Sequence, residues 1–115
     1  MEMDAMWEKI KKNLKDGAAM SMEKIEEYTK IGKLKVEEMS AKRKIERNYI
    51  DAGERVYELI HEGKGSGVAD DLVIRKSVEN ISSLKDELTV IAQKIKDISE
   101  VVNDQESEEE EVNSI

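Results

Sequence analysis

The sequence predicts an all-α protein: an antiparallel two-helix coiled-coil hairpin with an additional N-terminal amphipathic helix. Three observations carry this reading. Ile74, Val78, Ile81, Leu84, Leu88, Ile91, Ile95, Ile98 and Val102 recur at three- and four-residue steps, with Lys, Asp, Glu and Ser between them, which is the seam of a long helix that another helix must cover. Proline and phenylalanine are absent and aromatic residues make up 3% of the chain, so no ring interrupts a helix and the usual strand formers are scarce. The single strong break is Glu62-Gly63-Lys64-Gly65-Ser66-Gly67.

Residues 1–20 form the first element. Met3, Met6, Trp7, Ile10 and Leu14 fall on one helical face, Lys9, Lys11, Lys12 and Lys15 surround it, and Asp16-Gly17 offers a hinge. An indole beside lysines suits a membrane interface or a partner helix. Glu2, Asp4, Glu8 and Asp16 offset those lysines, which weakens the electrostatic attraction to anionic lipid and favours packing within the protein or its oligomer. The charges recur too often for a secretory signal or a membrane span, so the expected location is cytoplasmic.

The first arm of the hairpin covers about residues 21–62. Its expected stripe is Ile25, Tyr28, Ile31 and Gly32, then Met39, Ile45, Tyr49, Ala52, Gly53, Val56, Leu59 and Ile60. Gly32 and Gly53 are read as points of close helix approach, at about 1 kcal/mol each in helix propensity. Lys35, Glu38, Lys42 and Glu46 lie at or beside the seam, a poor match for the aliphatic Leu88, Ile91 and Ile95. Three remedies are open: lysine stems lie along the seam, Leu34, Val36 and Ala41 rotate in, or a second copy supplies apolar cover. The last is favoured.

Residues 63–68 form the loop. Gly63 suits the left-handed conformation that closes a helix, and Ser66 or Gly67 can cap the next one, with Asp70 and Asp71 in its first turn. The second arm, about residues 69–103, would be about 50 Å long. Folding the chain about residue 66 brings it back only to about residue 30 and leaves residues 1–28 overhanging. The same fold sets Val56 near Val78, Ala52 and Gly53 near Ile81, Tyr49 near Leu84, Ile45 near Leu88 and Ile31 near Val102.

Net charge is −8, and it is concentrated. Residues 100–115 hold Glu100, Asp104, Glu106 and Glu108 to Glu111 without a basic residue, so residues 104–115 are expected to be a disordered acidic tail. Lys30, Lys33, Lys35, Lys42, Arg43, Lys44 and Arg47 make a basic tract. They are spread around the helix with no aromatic residue among them, which disfavours nucleic acid and suits a solvated face with the pairs Glu26–Lys30 and Glu38–Lys42.

Composition bounds the chemistry. Without cysteine and with one histidine, His61, thiolate and multi-histidine metal sites are excluded. His61 beside Glu62 lacks a nucleophile or an enclosing layer. No catalytic residue, metal or cofactor is expected, and the chain is read as a non-enzyme. Glu62, Asp70 and Asp71 make an acidic tip, similar to what secondary-channel factors of bacterial RNA polymerase present to the catalytic magnesium; helix capping explains Asp70 and Asp71 without that role.

Ala52-Gly53-Glu54-Arg55-Val56-Tyr57-Glu58-Leu59, following Lys33-Leu34-Lys35, resembles a diffuse group of small, uncharacterised bacterial helical-hairpin proteins. The resemblance covers the first arm and the loop and implies a coiled-coil hairpin. Some members continue into a cysteine-rich zinc ribbon, and no residues here correspond to it. The expected function is a coiled-coil interaction or scaffold protein that self-associates, with Met3, Met6, Trp7, Ile10, Leu14, Leu88, Ile91 and Ile95 as interaction residues. The alternatives are a peripheral membrane-surface protein using the N-terminal helix and an RNA polymerase accessory factor using the acidic tip.

Overall fold

The computed structural model describes Glu8 and residues 22–113, with side chains as far as Asp104. The chain is all-α. Helix α1 spans Met22–His61, a 3-10 turn spans Gly65–Asp70, helix α2 spans Leu72–Asn113, and no strand occurs among the described residues. Met3, Met6, Trp7, Ile10 and Leu14 lie outside the described residues. The chain divides into two compact units, one of Met1–Val36 with Gln93–Ile115 and the other of Glu37–Ala92.

Both ends of the break are chemically defined. Gly63 has φ +75°, and its N–H donates to the Ile60 carbonyl at 3.1 Å while the Lys64 N–H donates to the Leu59 carbonyl at 2.7 Å. This is the Schellman pairing, which satisfies carbonyls that the helix end leaves open. The next helix begins later than the glycines suggest. Asp71, in extended conformation, is its N-cap: Oδ2 accepts the Val73 and Ile74 N–H groups at 3.1 and 3.2 Å. Ser66 and Gly67 belong instead to the 3-10 turn, because a carboxylate directly before the apolar run outcompetes them for those orphan donors.

At its other end α2 continues to Asn113, past the expected boundary at residue 103 and through the acidic run read as disordered. Extending an existing helix is far easier than nucleating one, and glutamate is a good helix former.

The buried stripe of α2 corrects the expected seam at one position. Val78 is 57% exposed and Ser77 is 4% exposed. Ile74, Ser77, Ile81, Leu84, Leu88, Ile91, Ile95, Ile98 and Val102 keep unbroken alternation of three and four, whereas Val78 forces two consecutive threes. Geometry therefore selects the serine over its more apolar neighbour. Leu88 is half-buried, and Ile91 and Ile95 are each 4% exposed, so this stripe is covered within the chain and offers no open face.

In α1, Tyr28, Ile31, Ala41, Ile45 and Leu59 are buried. Ile25, Met39, Tyr49 and Ile60, expected on the seam, are exposed. Lys24 is buried, and Lys35, Glu38, Asn48, Ala52 and Arg55 are half-buried at seam steps. Two of the three remedies thus operate: Ala41 turns inward and long charged side chains lie along the seam. Val36 stays exposed. A Cβ added at Gly32 or Gly53 would meet nothing within 4 Å, so neither glycine marks a close approach within the chain.

Candidate functional site

The most organised polar constellation lies inside the Glu37–Ala92 unit, beside the turn. Arg55 occupies a seam step of α1, three residues after Ala52 and four before Leu59. Its Nε donates to Asp71 Oδ1 at 3.1 Å, Nη2 forms an ion pair with the same oxygen at 3.0 Å, and Nη1 donates to Glu58 Oε2 at 3.2 Å. Asp71 thus divides its oxygens, Oδ1 to the guanidinium and Oδ2 to the N-terminus of α2. Its side chain is 11% exposed. The Arg55 hydrogen bond, aided by the Ile74 and Val73 N–H groups, holds the Asp71 carboxyl below the ordinary carboxylate range, because each partner favours the charged form. In return, Asp71 first and Glu58 second hold Arg55 more firmly protonated.

A second polar link joins the helices where Asn80 Nδ2 donates to Asn48 Oδ1 at 3.1 Å. Between the two links runs an open groove lined by Asn48, Asp51, Arg55, Val73, Lys76 and Ser77 among others. Lys85 Nζ stands 5.9 Å from the Tyr49 ring centroid, a cation–π contact at the edge of its range. Relative to the pairs obtained by folding about residue 66, the partners of Asn48 and Arg55 lie about five and seven residues earlier in α2, roughly one and a half to two turns, whereas Tyr49 and Lys85 keep the expected register.

The acidic tip is largely committed to structure. Asp71 caps α2 and binds Arg55, and Glu62 Oε2 lies 3.6 Å from Lys64 Nζ. His61 stacks on Tyr57 with ring centroids 5.7 Å apart and planes 8° from parallel. In the basic tract Lys42 pairs with Glu38 at 3.5 Å, as the spacing suggested. Lys30 pairs with Glu27 at 3.7 Å rather than with Glu26, and Arg47 pairs with Asp51 at 3.4 Å. Among the described residues no three His, Asp or Glu side chains converge as a metal cluster, and no helix is long and apolar enough to cross a membrane.

Sequence reasoning missed Arg55 and Asn48 because it followed apolar residues, choosing Val56 and Tyr49 one step away. The alternation of three and four that runs from Ala41 to Leu59 was the available signal. For Asp71 it was the position immediately before Leu72, where a cap is expected. No protein-family model, curated protein or solved structure matches this sequence.

Proposed function

We propose that the two helices form an antiparallel coiled-coil hairpin that acts as a non-enzymatic, self-associating scaffold or interaction protein. The links Asn48–Asn80 and Arg55–Asp71 support the antiparallel pairing, since the later residue of α1 meets the earlier residue of α2 in each case. The observation that carries the functional reading lies on the outside of the Glu37–Ala92 unit. Its seam is filled from within the chain, yet Ile50, Tyr57, Ile60, Leu72, Val73 and Val78 remain exposed. A solvated strut would place charged residues there, and apolar side chains left exposed in line on one face of α1, at Ile50, Tyr57 and Ile60, mark an interaction surface.

In this reading the hairpin is the rigid element and residues 1–28 are a further assembly or docking element. The Leu88 to Ile95 stripe drops out as an interface because it is already covered. Light scattering over a concentration series, on the full chain and on one lacking residues 1–20, tests the reading. A full-length dimer or larger species supports it, and a monomer at every concentration overturns it. A dimer that falls to monomer on truncation assigns assembly to the N-terminal segment.

A further inference from the structure

The outer side of α1 carries a second periodic stripe. Glu46, Ile50, Gly53, Tyr57 and Ile60 follow one another at steps of four, three, four and three, and Lys64 follows four residues on, just past the helix end. Such spacing aligns them on one face. Ile50, Tyr57 and Ile60 are 52%, 69% and 61% exposed, and all lie away from the buried seam. Gly53 sits at the centre of the stripe, exposed, with open space where a Cβ would stand. A glycine inside an exposed helix face is about 1 kcal/mol less favourable than alanine, and it leaves a notch in the surface flanked by two large side chains.

We propose that this stripe is a self-complementary interface on which a second copy of the chain docks antiparallel, about a twofold axis at the level of Arg55. The proposal rests on the self-association reading and names the surface responsible. In this register Ile50 meets the partner's Ile60, and the Tyr57 ring enters the notch at the partner's Gly53. The twofold repeats both contacts, as an isologous interface requires. The flanking layer brings Glu46 opposite the partner's Lys64 and Arg47 beside the partner's Glu62, opposite charges at both ends of the contact.

A parallel pairing would instead set Glu46 on the partner's Glu46 and Tyr57 on the partner's Tyr57, with like charges facing and the notch unused. Charge therefore selects the antiparallel partner. Within one chain Arg47 and Lys64 make only exposed pairs, at 3.4 Å to Asp51 and 3.6 Å to Glu62. Exchanging such pairs across an interface sacrifices little.

The test uses two variants of the full chain. Gly53→Gln fills the notch with a strong helix former, so helicity by circular dichroism should hold or rise. The dimer dissociation constant should rise at least about tenfold, equivalent to about 1.4 kcal/mol. The chain lacks cysteine, so Ile50→Cys/Ile60→Cys on an oxidising column should yield a disulfide-linked dimer, while Ile50→Cys alone should not. Within one helix those positions are about 15 Å apart along the axis, too far to join in the same chain. A dimer unaffected by Gly53→Gln, with no covalent product from the double variant, overturns this interface while leaving self-association standing. A wild-type chain that stays monomeric overturns both.

Discussion

The inner stripes of α2 and α1 meet the same geometric demand with different residues. In α2 every seam position but one is Ile, Leu or Val, the exception being Ser77. In α1 the seam includes Lys24, Lys35, Glu38, Asn48 and Arg55 alongside Tyr28, Ile31, Ala41, Ile45 and Leu59. The contrast shows that helical phase, rather than the polarity of an individual side chain, decides what is buried here. Val78 is outside because it is out of phase, and Arg55 is half inside because it is in phase and finds Asp71.

The largest expected effect separates in-phase from out-of-phase aliphatics. Ile91→Ala should cost about 2–5 kcal/mol in urea unfolding, whereas Val78→Ala should stay within about 0.5 kcal/mol. Equal losses at the two positions would mean the assigned phase is wrong.

Next come substitutions that address how α1 accommodates charge. Asp71→Ala removes both the cap and the Arg55 partner, while Asp71→Asn retains a capping oxygen and loses only the charge. Thermal unfolding at neutral pH should rank wild type above Asn and Asn above Ala. Because the folded-state carboxyl titrates below its ordinary value of 3.8, its contribution is complete above that value and is lost as pH falls through the folded pKa. Asp71→Asn should therefore show a shallower loss of stability in acid, and an unchanged acid profile would remove the pairing from the account.

The outer stripe makes an opposite prediction. At concentrations low enough to keep the chain monomeric, Gly53→Ala should raise stability by about 0.5–1 kcal/mol, since nothing in the chain occupies the space its methyl needs. A destabilised monomer would restore Gly53 to a contact within the chain. The smallest effect is at Ser77, where alanine should add about 0.5 kcal/mol through helix propensity. A loss there would reveal that the serine hydroxyl is structurally required.

What was legible in the sequence follows from the same contrast. The aliphatic run from Ile81 to Val102 announces α2, and Gly63 announces the end of α1, because both signals belong to single residue types with one physical meaning. The stripe of α1 was not legible from apolarity. Half of its true members are polar, and apolar neighbours at 25, 39, 49 and 60 lie on other faces. Gly53 was read as a point of close approach on the inner face, but it is exposed with nothing within 4 Å of an added Cβ, since a glycine carries no sign of which face it occupies. Apart from Glu8, residues 1–21 lie outside the described residues, so the face built from Met3, Met6, Trp7, Ile10 and Leu14 is an expectation of the sequence.

The central claim is that the apolar outer surface of the Glu37–Ala92 unit is covered by a second copy. Association that accompanies folding makes stability depend on protein concentration by mass action. The most direct measurement is the thermal midpoint of the full chain over about a hundredfold range of concentration, which exposes any coupling of folding to association. The account predicts a midpoint that climbs steadily with concentration and a Gly53→Gln variant whose midpoint does not. A wild-type midpoint that stays constant across the range would contradict it.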